Sequence, residues 1–378
     1  MMKTKPSLWQ MVLLLMFPQI AETIYSPTLD SISKSFDVSY AQAAQTLSIY
    51  FSAFALGVVV WGILADKWGR RPTMLLGMGL FACSALIAMQ TNSFVWLMIA
   101  RAIGAFGLAV GSVVTQTMLR DAFSGAELAK VFGYMGMGLS ISPIIGLLLG
   151  GQLSQAGGHQ YVFIALFIMV LALLAHSLWS LPETQQSKQP LQLKSLSIHM
   201  VKDSDIWMSA LLVASFNIAL FSYYQLGSFA FIQLGFSVEH FGYSGIVLGF
   251  GTLLGSLVNK TLLKRQVSSM SLIGIAAGLQ TLGAVGVYFS QHSIWFLLPM
   301  MLVVMAFGIA IPNVLSRALV SYQSQAGSAG ALFGLMYYTL IGSGLALAGM
   351  IQDLGVVLVL CGALSVLVTI RSRLQLKR

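Results

Sequence analysis

Twelve apolar runs, each about as long as a membrane is thick, leave this chain little choice of fold. Cutting the sequence at its polar and Gly/Pro clusters places them near 8–28, 42–64, 73–90, 94–117, 129–154, 160–181, 206–231, 241–262, 269–289, 294–315, 327–350 and 355–371. An α-helix rises about 1.5 Å per residue, so about twenty residues cross the hydrocarbon core with every backbone donor and acceptor satisfied inside the segment. Strands of a membrane barrel would alternate apolar and polar residues over about ten positions, whereas these runs are continuous. Only 8% of the 378 residues are charged, 57% are hydrophobic and the mean hydropathy is +0.85; a soluble domain carries about a quarter charged residues. The chain is therefore expected to be an all-α integral membrane protein with twelve transmembrane helices. Its first run follows Lys3 and Lys5 but holds Pro18 and Glu22 and lacks a small-residue cleavage site, so it reads as a retained helix and not a signal peptide.

Charge placement supplies the topology. If the spans alternate in direction, every Lys and Arg except Lys34 and Arg101 falls in segments on one face. This asymmetry predicts a multi-pass protein of the inner (cytoplasmic) membrane with both termini cytoplasmic. It also accounts for the formal charge of +9 without nucleic acid, because the basic residues are dispersed at the ends of apolar runs. The longest polar connection divides the chain into an N-terminal six-helix bundle (1–181), a cytoplasmic linker (182–205) and a C-terminal six-helix bundle (206–378). A weak echo links the two halves: Gly62, Asp66 and Lys67 recur 193 residues later as Gly255, Asn259 and Lys260. Two related halves embedded in the lipid bilayer are expected, and they need no second subunit to complete them, so a functional monomer is expected. Cys83 and Cys361 sit inside apolar runs and read as small hydrophobes, while five scattered histidines suggest no metal. No cofactor is expected. No phosphate-binding Gly-x-x-x-x-Gly-Lys-Ser/Thr and no His/Asp/Glu constellation is present, which argues against an ATP-driven pump and against an enzyme.

Two ionisable residues lie well inside the runs, Glu22 in the first and Arg101 in the fourth. A charge in hydrocarbon costs several kcal/mol on any scale, so each is a functional candidate by default. Glu22 shares a helical face with Gln19 and Ser26. It is expected to handle a proton or a cationic substrate, with a structural hydrogen-bond role as the alternative. Arg101 stays charged and needs a carboxylate, carbonyls or water. In the second half the polar candidates for a substrate cavity are Asn217, Tyr223, Tyr224, Gln225 and Asn313, amid Phe, Met and small residues. Such a lining suits an amphipathic or lipophilic molecule, and helix packing is the alternative for each residue singly.

Between the second and third runs lies Gly62-Ile63-Leu64-Ala65-Asp66-Lys67-Trp68-Gly69-Arg70-Arg71-Pro72. This charged hairpin resembles the signature loop of the major facilitator superfamily. The stretch from Arg101 to Ala109 resembles that family's fourth-helix motif, which implies a proton-transfer role for Arg101. The segment Gly138-Leu139-Ser140-Ile141-Ser142-Pro143-Ile144-Ile145-Gly146 resembles its antiporter motif in the fifth helix, with generic Gly/Pro packing as the alternative. Together with Glu22-Thr23-Ile24-Tyr25-Ser26-Pro27 and Arg120-Asp121, these stretches resemble the Bcr/CflA and EmrD-like drug exporters. Here the first-helix acid is Glu22, and Thr23 stands where many relatives carry Asp.

The resemblance implies the major facilitator fold, two pseudo-symmetric six-helix bundles. It places Gln19, Tyr25 and Ser26 at the cavity. It also implies that Gly62, Asp66, Gly69, Arg70, Arg71 and Asp121 form a conformational gate, in which Arg70 pairs with Asp121. The expected function is a proton-coupled antiporter that exports small amphipathic compounds by alternating access, its partners being that substrate and protons. A proton-coupled importer or metabolite transporter of the same fold, and a non-transporting membrane sensor, are the alternatives.

Overall fold

The computed structural model describes residues 5–185 and 193–375. Helix α1 (Leu8–Thr23), a single 3-10 turn (Ser26–Thr28) and α2 (Leu29–Phe36) form one broken span. There follow α3 (Tyr40–Trp68), α4 (Arg70–Gln90), α5 (Phe94–Ala122), α6 (Gly125–Ser180), α7 (Leu193–Lys202), α8 (Ser204–Gln233) and α9 (Val238–Lys264). The chain ends with α10 (Ser269–Ser290), α11 (Leu297–Ala318), α12 (Ala326–Ile351) and α13 (Leu354–Gln375).

Among the described residues eleven segments are long and apolar enough to cross a membrane, and α6 supplies two crossings from its 56 residues. Drawn straight, α6 would reach about 84 Å, far beyond a bilayer. It turns back at Gly157 (φ −161°, ψ 25°) and Gly158 (φ 64°, ψ −154°). The fold-back is visible in its contacts, since Gly138 from the first leg and Ser177 from the second both lie beside the start of α1, at Val12 and Gln10. The sequence leaves residues 155–159 as a loop; the structure compresses that connection to the two-glycine kink. A second difference is α7, a short helix inside the stretch read as a polar linker, of which residues 186–192 lie outside the described residues.

The two halves repeat one packing scheme. In the first, α1 packs on α5 and α6, α3 on α5, and α4 on α5 and α6. In the second, α8 packs on α11, α12 and α13, α9 on α11, and α10 on α11 and α13. The halves meet mainly along α3 with α12 and α6 with α9. Contacts at the chain ends fix the order of crossings. Arg70 reaches Asp121, the Arg70 amide reaches Glu183, Tyr322 reaches Asp203 and Arg373 reaches Met270. All therefore share the face that carries the 62–72 hairpin, called the hairpin face below.

Polar contacts between the halves gather toward the opposite face. Gln225 Nε2 donates to Ala44 O at 2.8 Å, Ser48 Oγ at 3.2 Å and Leu345 O at 3.0 Å, tying α8 to α3 and α12. Gln45 Nε2 donates to Ala346 O at 3.0 Å, and Ser26 Oγ donates to Tyr224 O. Between α6 and α9, Gln152 Nε2 donates to Glu239 Oε1 and Tyr243 Oη, each at 2.8 Å. Tyr243 Oη in turn donates to Glu239 Oε1. Toward the hairpin face the first leg of α6 is uncovered: Tyr134, Met137 and Ile141 are exposed, and Gly133 and Gly136 face open space.

A net hydrogen bond contributes about 1 kcal/mol, and the two N–H protons of Gln225, shared among these three acceptors, make it a principal fastening of this seam. Gln225→Leu is expected to loosen the opposite face. With Cys83 and Cys361 replaced by Ala, a thiol placed by Ala346→Cys should be labelled several-fold faster in the Gln225→Leu protein than with Gln225 retained.

Candidate functional site

The site is built on the break in the first span. Pro27 lacks a backbone N–H, so the α-helical ladder is interrupted there and the chain passes from α1, which ends at Thr23, through the 3-10 turn Ser26–Thr28 into α2. Thr23 Oγ1 donates to Gln19 O at 2.8 Å and Thr28 Oγ1 to Tyr25 O at 2.6 Å, which occupies carbonyls around the bend. The bend rests on the first leg of α6. A Cβ on Gly146 would lie 1.9 Å from Thr23 Oγ1, and one on Gly150 would lie 2.2 Å from Ile24 O. Gly138 packs on Val12 and Met16, and Ser142 Oγ turns inward to Gly138 O at 2.9 Å. The Gly138–Gly146 segment, which includes Pro143, is therefore the bearing surface that holds the broken first span.

Beside the bend lie Glu22, 5% exposed, and Arg101, 4% exposed. The Arg101 guanidinium carbon stands 3.7 Å from the centroid of Tyr25 and 4.7 Å from that of Tyr50. A desolvated cation over aromatic rings gains about 2 kcal/mol, and Tyr50 is fixed by its hydroxyl donating to Pro18 O at 3.0 Å. Glu22 and Arg101 feel each other's charge. They do not close to contact: the ion pairs among the described residues are Lys5–Glu127, Lys34–Asp30, Arg70–Asp66 and Arg70–Asp121. Glu22 Oε1 and Arg101 Nε and Nη2 are buried without a hydrogen-bond partner among the described residues. Each such group costs about 1–3 kcal/mol, so their gathering at one bend marks a place arranged for something other than stability.

Aromatic rings from both halves surround this group. Phe51 meets Phe221 with centroids 4.5 Å apart and Phe54 meets Tyr338 at 5.0 Å, both across the seam. Tyr224 stands against Phe221 with centroids 5.9 Å apart, and Tyr50 against Phe51 at 5.6 Å. Of the cavity candidates, Tyr25 and Tyr224 join this cluster, and Gln19 is half-buried one turn before Glu22. The others lie elsewhere. Ser26 and Gln225 are in the seam; Tyr223 packs on Phe241 and Phe296 and donates to Ser244 Oγ at 2.5 Å. Asn217 Nδ2 donates to Val213 O at 2.7 Å. Asn313 is buried and donates to Asn259 Oδ1 at 2.7 Å, which joins it to the echo position of Asp66. Sequence reasoning missed Phe51, Phe54, Phe221 and Tyr338. Their signal was the recurrence of aromatics at one level of the second, seventh and eleventh runs.

The hairpin forms a second cluster. Arg70, its side chain 8% exposed, reaches Asp66 Oδ1 through Nη1 at 2.5 Å and Asp121 Oδ2 through Nε at 3.0 Å. Glu183, just past α6, accepts the Arg70 amide at 3.0 Å and the Arg71 amide at 3.1 Å, and so caps the start of α4. Arg71 Nη2 donates to Leu178 O at 2.6 Å, Thr184 Oγ1 to Asp121 Oδ2 at 3.2 Å and Gln185 Nε2 to Asp66 O at 2.6 Å. Gly69 turns with φ 105°, and a Cβ there would stand 2.5 Å from Glu183 Oε2. Gly62 packs against Val113. Every one of these contacts lies within the first half and the 181–185 strap. Asp66, Arg70 and Asp121 were expected here from the motif, and Glu183 was not.

A carboxylate at a helix start contributes about 0.3–1 kcal/mol, more where partly buried. Glu183→Ala is expected to lower the thermal unfolding midpoint, and Gly69→Ala to lower it further because it adds a clash to a positive φ. Midpoints measured in one detergent for the two variants and the unmodified protein check this order.

Comparison with known proteins agrees with this architecture. The sequence model for the Major Facilitator Superfamily matches residues 11–349. An uncharacterized transporter of Rickettsia felis is 30% identical over 351 residues, covering 88% of this chain and 86% of the relative. Multidrug resistance protein D of Escherichia coli is 25% identical over 377 residues, covering 95% and 94%. A bicyclomycin resistance protein homolog of Haemophilus influenzae is 26% identical over 342 residues, covering 85% and 83%. Among solved structures, a D-xylose-proton symporter superposes with TM-score 0.78 at 16% identity, over 96% of this chain and 95% of that one. An inward-facing bacterial homolog of the lysosomal transporter Spinster superposes with TM-score 0.72 at 16% identity, over 96% of each chain.

Proposed function

Since the chain belongs to the Major Facilitator Superfamily, we propose that it is a proton-coupled antiporter that exports small amphipathic or lipophilic compounds by alternating access. The observation that carries this reading is the junction at the first-span bend, where Glu22 and Arg101 are buried near each other but unpaired, inside rings drawn from both halves. The relatives named for bicyclomycin and multidrug resistance support the direction and the substrate class.

In this reading a proton on Glu22 Oε1 removes the negative charge that faces Arg101, and its loss restores the attraction. Either change alters the field on the aromatic rings of both halves. A substrate held by area against Phe51, Phe221 and Tyr338 is released as the halves rock and those rings separate. The seam at the opposite face parts during that movement, while the Arg70 cluster keeps the first half and the 181–185 strap moving as one body. The hairpin face is cytoplasmic, as the Lys and Arg distribution requires, and the protein works in the inner membrane as a monomer. Residues 1–181 and 206–378 are the two moving bundles and 182–205 the link. One charge crossing 100 mV supplies about 2.3 kcal/mol, enough for about a fifty-fold gradient per proton.

The test is transport in proteoliposomes with an imposed pH gradient and a panel of amphipathic antibiotics that includes chloramphenicol. Drug movement opposite to the proton flux is expected, with Glu22→Gln abolishing the coupled proton movement and Arg101→Ala reducing turnover at least tenfold. Co-movement of drug and proton would replace the exporter with an importer, and flux unchanged in Glu22→Gln would remove that residue from the coupling.

A further inference from the structure

We propose a binding site for one anionic phospholipid on the outer flank of the second half, in the groove between α10 and α13 at the hairpin face. The groove has a volume of about 280 Å³, and its walls include Gly274, Ile275, Val366, Thr369, Ile370 and Arg373. Its wall is apolar where it faces acyl chains: Ile275 and Ile370 are exposed, and the Thr369 hydroxyl is turned away, donating to Ser365 O at 2.7 Å. A concave apolar channel in hydrocarbon accepts a lipid tail.

Its mouth carries the complementary charge. Arg373 lies in the last turn of α13, and its Nη2 makes a single long hydrogen bond, 3.4 Å, to Met270 O at the start of α10. Gly274 makes the seat, since a Cβ there would stand 2.1 Å from Nη2. No carboxylate among the described residues forms an ion pair with Arg373. Two acidic residues stand at that end of the adjoining α8: Asp203 is already engaged by the Tyr322 hydroxyl and by the amides of Asp205 and Ile206, and the exposed Asp205 forms no ion pair with Arg373. A guanidinium with most of its donors free, held at the membrane face above a tail-width groove, matches a phosphate ester with a chain beneath it. A basic side chain near an anionic surface gains about fivefold in affinity, and bidentate phosphate geometry adds to this. Arg371 and Arg265 at the same face add attraction without touching the groove. The site is independent of what the central cavity carries.

Native mass spectrometry of the delipidated protein titrated with dioleoyl phosphatidylglycerol or dioleoyl phosphatidylcholine tests the proposal. One phosphatidylglycerol should be retained with at least a fivefold preference. Arg373→Ala should erase the preference, Ile370→Trp should erase binding by filling the groove, and Arg371→Ala should change the preference less than twofold. Arg373→Ala is at the membrane edge and decides the matter even if the Trp variant does not fold. Equal retention of both lipids, a preference that survives Arg373→Ala, or competition by glycerol 3-phosphate as effective as by the lipid would overturn it.

Discussion

A backbone amide or carbonyl left unpaired in hydrocarbon costs several kcal/mol, and this one penalty organises the molecule. It makes every crossing a helix, and it permits the one broken crossing near the centre only under cover. From Ile20 to Asp30 every residue is buried. The threonine hydroxyls at positions 23 and 28 take carbonyls of the bend, and Gly146 and Gly150 bring α6 close enough to exclude lipid. The small residues of the fifth crossing therefore have a definite purpose in the first half, since any side chain at Gly146 or Gly150 would lift the cover from the bend that carries Glu22.

The same penalty shapes the seam. Its fastenings at the opposite face are amide side chains that donate to backbone carbonyls, as Gln225 does to Ala44 and Leu345 and Gln45 does to Ala346. Water can replace such bonds at little cost when a seam opens, whereas a buried ion pair would leave two stranded charges. Nearer the centre the halves touch through rings, Phe51 on Phe221 and Phe54 on Tyr338. Ring contacts have no register to break and tolerate sliding. The hairpin cluster is of the other kind, with Arg70 gripped by two carboxylates and Glu183 capping the helix that Arg70 begins. The contacts are thus ionic inside the first half and neutral between the halves.

The sequence showed the crossings plainly because length and continuous hydropathy are local properties. Arg70–Asp121 was legible because the motif supplied the pairing, and Glu22 and Arg101 because charge inside an apolar run is conspicuous. What the sequence hid depends on orientation around the helix axis. Gln225 and Tyr224 are neighbours in sequence, yet one fastens the seam and the other lies within reach of Glu22, and Tyr223 turns into its own half. Composition cannot separate three consecutive polar residues that differ only by 100° of rotation. Glu183 was hidden for a different reason: it belongs to the strap after the sixth crossing, and its partners, the first amides of α4, carry no side-chain signature. The weak echo of Gly62, Asp66 and Lys67 proved informative in an unexpected way, for at Asn259 the second half replaces a charged grip with the neutral pair Asn259–Asn313.

That replacement bears on how the two halves divide their tasks. The first half holds buried charge at both levels, Glu22 with Arg101 at the bend and Arg70 with its carboxylates at the hairpin face, whereas the second half answers with rings and amides. The Glu22 and Arg101 side chains therefore belong to one half, and that half meets the other through rings, Phe51 on Phe221 and Phe54 on Tyr338. Two halves with equal charge would each resist the other's movement by the desolvation of both sets. Among the described residues the buried charge is confined to one bundle, and the other meets it with aromatic faces and amides, whose transfer between neighbours costs little. The asymmetry between repeats is in this sense a division of cost, with the first bundle bearing the burial of charge and the second meeting it with neutral surface.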